Sequence, residues 1–164
     1  MVCGSAGAQR DFSQVRIEPI KVAEGIYMLQ GQGGNIGLSV GEDGALIIDD
    51  QFAPLAPKIR AVILALGGAE PAFILNTHHH GDHTGGNAIF GDRGVIVAHE
   101  NVRLRLLDRP VNDQPLLRSA FPEITYRHGL SIHFNEDELR VVHFPQAHTD
   151  GDGVVFFTKS NVVH

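Results

Sequence analysis

The chain has 164 residues, 43% of them hydrophobic and 20% charged, so it is of single-domain size and able to bury a real core, and no stretch is long and apolar enough to cross a bilayer. Its net charge of −6 and pI near 5.9 argue against a generic binder of the phosphate backbone, so neither nucleic acid nor membrane is an expected partner. A single cysteine, Cys3, permits no internal disulfide and leaves the redox compartment unread.

Met1 to Gln9 is small and glycine-rich without the apolar centre of a signal peptide, although Gly4 to Ala8 resembles the end of one. The chain is read as soluble, with cytoplasmic and exported locations both open, and residues 1–14 as a flexible segment ahead of one domain over 15–164. Val15 to Val22, Gly25 to Gln30, Ile36 to Val40 and Ala45 to Ile48 read as an antiparallel meander, separated by turn chemistry at Glu24-Gly25, Gly31 to Gly34 and Glu42-Asp43-Gly44. Leu55, Ile59, Val62, Ile63 and Leu66 recur at helical spacing, with Pro54 and Pro57 near the start and Gly67-Gly68 at the stop. That pattern predicts an amphipathic helix over Leu55 to Leu66, packed on the sheet. Ala72 to Leu75 reads as a buried strand, Gly94 to Ala98 as another and His99 to Leu107 as a helix. Leu130 to Phe134 and Leu139 to Phe144 form a predicted hairpin around Asn135 to Glu138, followed by strands at Val154 to Phe157 and Val162-Val163.

The run Asn76-Thr77-His78-His79-His80-Gly81-Asp82-His83-Thr84-Gly85-Gly86 begins where the Ala72 to Leu75 strand ends. In extended backbone residues two apart project to the same side, so His78 and His80 can converge on one ion while His79 points away. Gly81 lets the chain turn and bring Asp82 and His83 to a neighbouring position, which allows two adjacent ions. Imidazole and carboxylate together favour zinc, with iron and manganese as alternatives, over calcium or magnesium. Two histidines alone would read as solvated loop residues; an internal HxHxDH after a strand and before Gly-Gly reads as a metal site. His99, at a helix start, His128, in a turn, and His133 and His143, on opposite strands of the hairpin, read as structural or solvated. Arg103, Arg105, Arg109 and Arg118 read as a solvated surface. Phe52, Phe90 and Phe121 lie beside loops and could line a pocket, but core packing is the default for phenylalanine.

These residues closely resemble the metallo-β-lactamase superfamily, whose signature THxHxDHxGG is matched from Thr77 to Gly86. Ala45-Leu46-Ile47-Ile48-Asp49 resembles the family's early strand, whose terminal acid supports the metal loop, a role the resemblance gives to Asp49. Phe144-Pro145-Gln146-Ala147-His148-Thr149-Asp150-Gly151-Asp152 resembles its later His-Thr-x-Gly-Asp motif. The resemblance runs from about Val22 to the last residue. It implies an α/β (α+β) fold, the four-layer αββα sandwich, of which this chain supplies the N-terminal half and the start of the second. It also implies a first ion held by His78, His80 and His148, and a second beside Asp82 and His83. In the family a strand like Asn161 to His164 runs on to a bridging Asp and a further histidine. The sequence therefore resembles a truncated form in which the second site keeps only Asp82 and His83, and His164 as a replacement ligand carries little weight.

The implied activity is hydrolysis of an ester, thioester or amide bond, lactams included, in a small-molecule substrate. A water acidified by one or two zinc ions towards a pKa of ~7 is the expected nucleophile, with Asp82 as the catalytic carboxylate that orients it. Two other readings stand beside it: an iron-dependent thiol or persulfide oxidoreductase on the same loop, and a catalytically impaired metal-binding fragment. Exposed sheet edges and apolar surface on the uncovered half predict a homo-oligomer or poor solubility.

Overall fold

Short β-branched runs separated by turn residues become β1 (Glu18–Ala23), β2 (Ile26–Gln30), β3 (Ile36–Gly41) and β4 (Gly44–Ile48), paired antiparallel in chain order in a computed structural model that describes residues 11–108 and 116–164. Cys3, the Met1 to Gln9 stretch, Arg109 and most of the proposed flexible segment lie outside the described residues. After a 3-10 turn at Ala53–Leu55, helix α1 (Ala56–Ala65) crosses to β5 (Pro71–Asn76), which runs parallel to β4. Two single-turn helices, α2 (Gly81–Thr84) and α3 (Asn87–Phe90), lead to β6 (Val95–His99), α4 (Glu100–Leu107) and β7 (Ile124–Tyr126). Strands β5, β6 and β7 extend the meander in parallel into a seven-stranded sheet. A second sheet, ordered β11-β10-β9-β8, is built from β8 (Gly129–Phe134), β9 (Asp137–Phe144), β10 (Asp152–Phe157) and β11 (Val162–Val163).

Alternation along β4 explains the layering. Ala45 and Ile47 face a core with Ile59 and Ile63 of α1, Ile74 and Phe90, whereas Leu46 and Ile48 face Leu139, Val141, Val155 and Phe157 of the second sheet. A strand covered on both faces reads as a continuous apolar run, which is how Ala45 to Ile48 appears. On the outer face of the second sheet Val142, Val154 and Phe156 are half-buried and Val163 is exposed. The fold is thus the helix layer and two facing sheets of the αββα sandwich.

Besides the single-turn helices α2 and α3, which are too short to show a period, three elements differ from the sequence expectation. The first strand pairs from Glu18 rather than Val15, because the carbonyls of Phe12, Ser13 and Val15 accept hydrogen bonds from Lys58 Nζ at 2.9, 2.8 and 2.6 Å, which draws this segment onto α1. Strand β7 was not expected, since three residues are too few to display a period. The hairpin turn is the pair Asn135-Glu136 rather than Asn135 to Glu138. Both residues have positive φ, 51° and 61°, the tight turn that matches strand twist and lets pairing start at Asp137.

That turn also joins the two sheets. Asn135 Nδ2 donates to Ser39 Oγ at 3.0 Å and to the Gly44 carbonyl at 3.2 Å, while its Oδ1 accepts from Asp43 N at 3.0 Å. Asn135→Ala removes these bonds and a residue that tolerates positive φ, and is expected to cost about 1–3 kcal/mol in urea unfolding. Asn135→Gly, which restores only the backbone freedom, should fall between the two.

Candidate metal centre

Strand β5 ends at Asn76, residues 77–80 bend away from the strand, and His80, extended at φ −68° and ψ 151°, is the residue before α2. His78 and His80 nonetheless bring their rings together, with centroids 4.8 Å apart. Carbonyl O of His80 accepts from His83 N at 3.0 Å and Thr84 N at 3.1 Å, which turns the chain sharply after the histidine pair. The second stretch is tied to the first by Gly153 N, which donates to the Thr77 carbonyl at 2.8 Å. Asp152 shapes the 148–152 loop by accepting from the backbone N of His148 and of Thr149, at 2.5 and 2.9 Å. From α4, Asn101 donates to the Asp150 carbonyl at 2.7 Å and Arg105 pairs with its carboxylate at 2.8 Å.

Three of the predicted residues converge as a result. His78 Nε2 lies 3.2 Å from His80 Nδ1, and His148 Nε2 lies 3.1 Å from the same atom. All three donor atoms sit within 4.8 Å of one another. A tetrahedral zinc with Zn–N bonds of ~2.0–2.1 Å separates its nitrogens by roughly 3.3 Å, so the donor set fits that ion. His78 is buried, His80 half-buried and His148 exposed, which leaves one side of the group open. Burial, reinforced by His83, lowers the His78 pKa to about 4, so its imidazole is neutral at physiological pH, as a metal ligand must be. His79 is outside the group.

Asp49 organises the loop from behind. It stands at the end of β4 with φ 64°, almost without solvent exposure. Its Oδ1 accepts from Thr77 N at 2.7 Å; its Oδ2 accepts from Thr77 Oγ1 and from His83 Nδ1, both at 2.7 Å. Burial alone would raise this carboxyl, but the nearby His164 and the hydrogen bond and charge of His83 outweigh it and hold the pKa at about 2. For His83, burial acts downward and the Asp49 bond and charge act upward more strongly, so its pKa is raised. With Nδ1 engaged, His83 Nε2 is the nitrogen left for an ion, 3.5 Å from Asp82 Oδ2. Asp82 and His83 thus form a second pair of donors beside the first group, the His78 and His83 ring centroids being 4.0 Å apart.

Asp50 and the Asn76–Asn87 pair were not singled out from the sequence. Asp50 is fully buried, accepts from Gly86 N at 2.8 Å, and is pushed well above the ordinary carboxylate range by burial, which favours its neutral form. Asn76 and Asn87 exchange hydrogen bonds of 3.0 and 2.9 Å under the loop. His164 brings its Nε2 to 3.8 Å from Asp49 Oδ2, beside the carboxylate and outside the three-histidine group. A cavity of about 640 Å³ opens over the centre, bounded by Met28, Phe144, Ala147 and Val154 on the apolar side and by His78, His83, His148 and Asp152 on the polar side. Phe52, Phe90 and Phe121 do not line it; Phe90 is core, Phe52 packs against that same core, and Phe121 packs against Ala98, Val102 and Leu106. Among the other histidines, His99 caps α4 through Asn101 N, bonds the Arg127 carbonyl at 2.9 Å and stacks on His143 at 3.6 Å, whereas His128 and His133 are exposed.

The sequence model of the metallo-beta-lactamase superfamily matches residues 29–164, and the chain belongs to that superfamily. No curated protein matches it. Among solved structures it is similar to a beta-lactamase from Chitinophaga pinensis (TM-score 0.77, 20% identity, covering 93% of this chain and 61% of that one). It is also similar to BJP-1, a subclass B3 metallo-beta-lactamase of Bradyrhizobium japonicum (TM-score 0.70, 22% identity, 90% and 60%), and to FEZ-1 from Legionella gormanii (TM-score 0.74, 18% identity, 87% and 58%). At these identities the likeness speaks to fold, and the chain spans about 60% of the length of these structures. Superfamily membership accords with a metal held by the histidine group. Among the described residues no helix is long and apolar enough to cross a membrane.

Asp49→Asn keeps the shape and removes the charge that three donors share. Metal affinity is expected to fall about 10- to 100-fold in a chelator competition. In metal-free protein the Asp49 contribution is complete above its unfolded pKa near 3.8 and is lost as pH falls towards about 2. The His83 contribution is complete below its unfolded value near 6.5 and is lost as pH rises through the raised folded one. Urea unfolding from pH 2 to 9 should therefore show the largest gap between parent and Asp49→Asn between about pH 4 and 6.5.

Proposed function

We propose that the chain is a zinc-dependent hydrolase that cleaves an ester, thioester or amide bond, lactams included, in a small molecule. The observation that carries this reading is the meeting of His78 Nε2, His80 Nδ1 and His148 Nε2 within 4.8 Å of one another, beside an open cavity that His78 and His148 line. Superfamily membership supports the reaction class. Zinc held there supplies Lewis acidity and a water acidified to a pKa of ~7, so no serine or cysteine nucleophile is required.

The protein's own groups do the remaining work. His78, His80 and His148 offer lone pairs from two separate stretches of chain, and Thr77 Oγ1, 3.1 Å from His78 Nδ1, restrains the far side of the most buried ring. Asp82 is partly exposed, with 37% of its side chain accessible, and presents an anionic acceptor beside His83. That carboxylate can orient a nucleophilic water by accepting its proton in a hydrogen bond, or join His83 in holding a second ion. Met28, Phe144, Ala147 and Val154 offer an apolar wall for the body of a substrate. The choice among esters, thioesters and lactams belongs to loop shape, which fold likeness does not determine.

Purified protein is expected to carry about one tightly held zinc by elemental analysis and to turn over activated ester or lactam probes faster than free zinc. His148→Ala should lose the tightly held zinc on purification, and the turnover with it, while still taking up added zinc weakly through His78 and His80. Asp82→Ala should keep the tightly held zinc and lower kcat/KM about tenfold or more. Zinc content unchanged by both His78→Ala and His148→Ala would defeat the assignment.

A further inference from the structure

We propose that Gln51 is a positioning residue for a second metal ion, acting by clamping the 32–34 backbone onto Asp82 and His83; this rests on the metal-centre reading above. Gln51 is fully buried and adopts a left-handed backbone, φ 54°, which a residue with a Cβ rarely adopts. Both ends of its amide are used on one short segment. Oε1 accepts from Gln32 N at 3.2 Å, and Nε2 donates to the Gly34 carbonyl at 2.5 Å. A buried amide is tolerated when both ends are satisfied, and here the partners are the two ends of a three-residue loop.

The clamped loop lies directly on the second donor pair. A Cβ added at Gly33, whose φ is 91°, would come within 2.6 Å of Asp82 Cβ and 3.1 Å of its Oδ2. One added at Gly34 would come within 2.4 Å of His83 Cε1 and 2.6 Å of Nε2. The backbone therefore rests against the ring edge that carries the free nitrogen of His83, while Asp49 holds the opposite nitrogen at 2.7 Å. His83 is fixed from both sides, and Nε2 stays 3.5 Å from Asp82 Oδ2. A side chain at 34 either pushes the ring away from Asp82 or occupies space beside Nε2 that an ion needs. The three-histidine group makes no contact with this clamp through the bonds described, so the two ions should respond separately.

The test is a stepwise titration of metal-free protein with zinc(II) by calorimetry, repeated with cobalt(II) and visible absorbance. The parent should show a tight first step and a weaker second one. Gly34→Ala and Gln51→Ala should keep the first step within about threefold and weaken the second at least about tenfold. Gln51→Met, which fills the space without the two hydrogen bonds, should behave like Gln51→Ala, and retention of the first step reports that each variant is folded. An unchanged second step in Gly34→Ala and Gln51→Ala overturns the proposal. Loss of both steps together, or a single step in the parent, overturns it as well and leaves the three-histidine assignment standing. A parent that binds no ion at all strikes that assignment instead.

Discussion

Asp49 accepts hydrogen bonds from Thr77 N, Thr77 Oγ1 and His83 Nδ1 in a position almost closed to water, so one charge is shared by three donors from a single turn of chain. A buried carboxylate without such partners would be strongly unfavourable, and hydrogen bonds to a charged acceptor contribute about 1.5–3 kcal/mol each. The loop therefore has one low-energy shape. In that shape the residue after Thr77 enters the centre with its Nε2, and His83 is turned so that Nε2 faces Asp82. Removing the acid releases the orientation of both donor sets at once.

The rest of the architecture brings a distant stretch to that loop. Strand β4 is apolar on both faces because it is the layer shared by the helices and the second sheet, and its end delivers Asp49. Strand β5 runs parallel beside it and delivers Thr77 and the histidines at the same end. Strand β10 begins at Asp152 in the facing sheet, and the bond from Gly153 N to the Thr77 carbonyl fixes where the 148–152 loop meets the first stretch. Seventy residues apart in sequence, His78 and His148 become neighbours through ordinary sheet packing, with Asn101 and Arg105 of α4 holding the loop at Asp150.

Much of this was visible in the order of residues. Alternating and continuous apolar runs located ten of the eleven strands among the described residues, and α1 followed from Leu55, Ile59 and Ile63 at helical spacing. The His78, His80, Asp82, His83 and His148 pattern located the centre because ligand chemistry restricts both residue type and spacing. What was hidden depends on contacts between segments far apart. Lys58 draws the 12–15 backbone away from the sheet, and no local period records that. Gln51 and Asp50 follow a buried strand as polar residues, a sign of tertiary hydrogen bonding, but their partners at Gly34 and Gly86 appear only in the fold. Gly33 and Gly34 read as turn glycines; their contact with Asp82 and His83 is a matter of space that composition cannot express. The approach of His164 to Asp49 is of the same kind.

The central claim is that three imidazoles from two stretches of chain surround one ion. X-ray absorption at the zinc edge, on the zinc-loaded chain and on His148→Ala, tests it most directly. The account predicts nitrogen or oxygen neighbours at ~2.0–2.1 Å with the outer-sphere pattern of three imidazoles in the parent, falling to two in the variant. The same imidazole count in both proteins would contradict it.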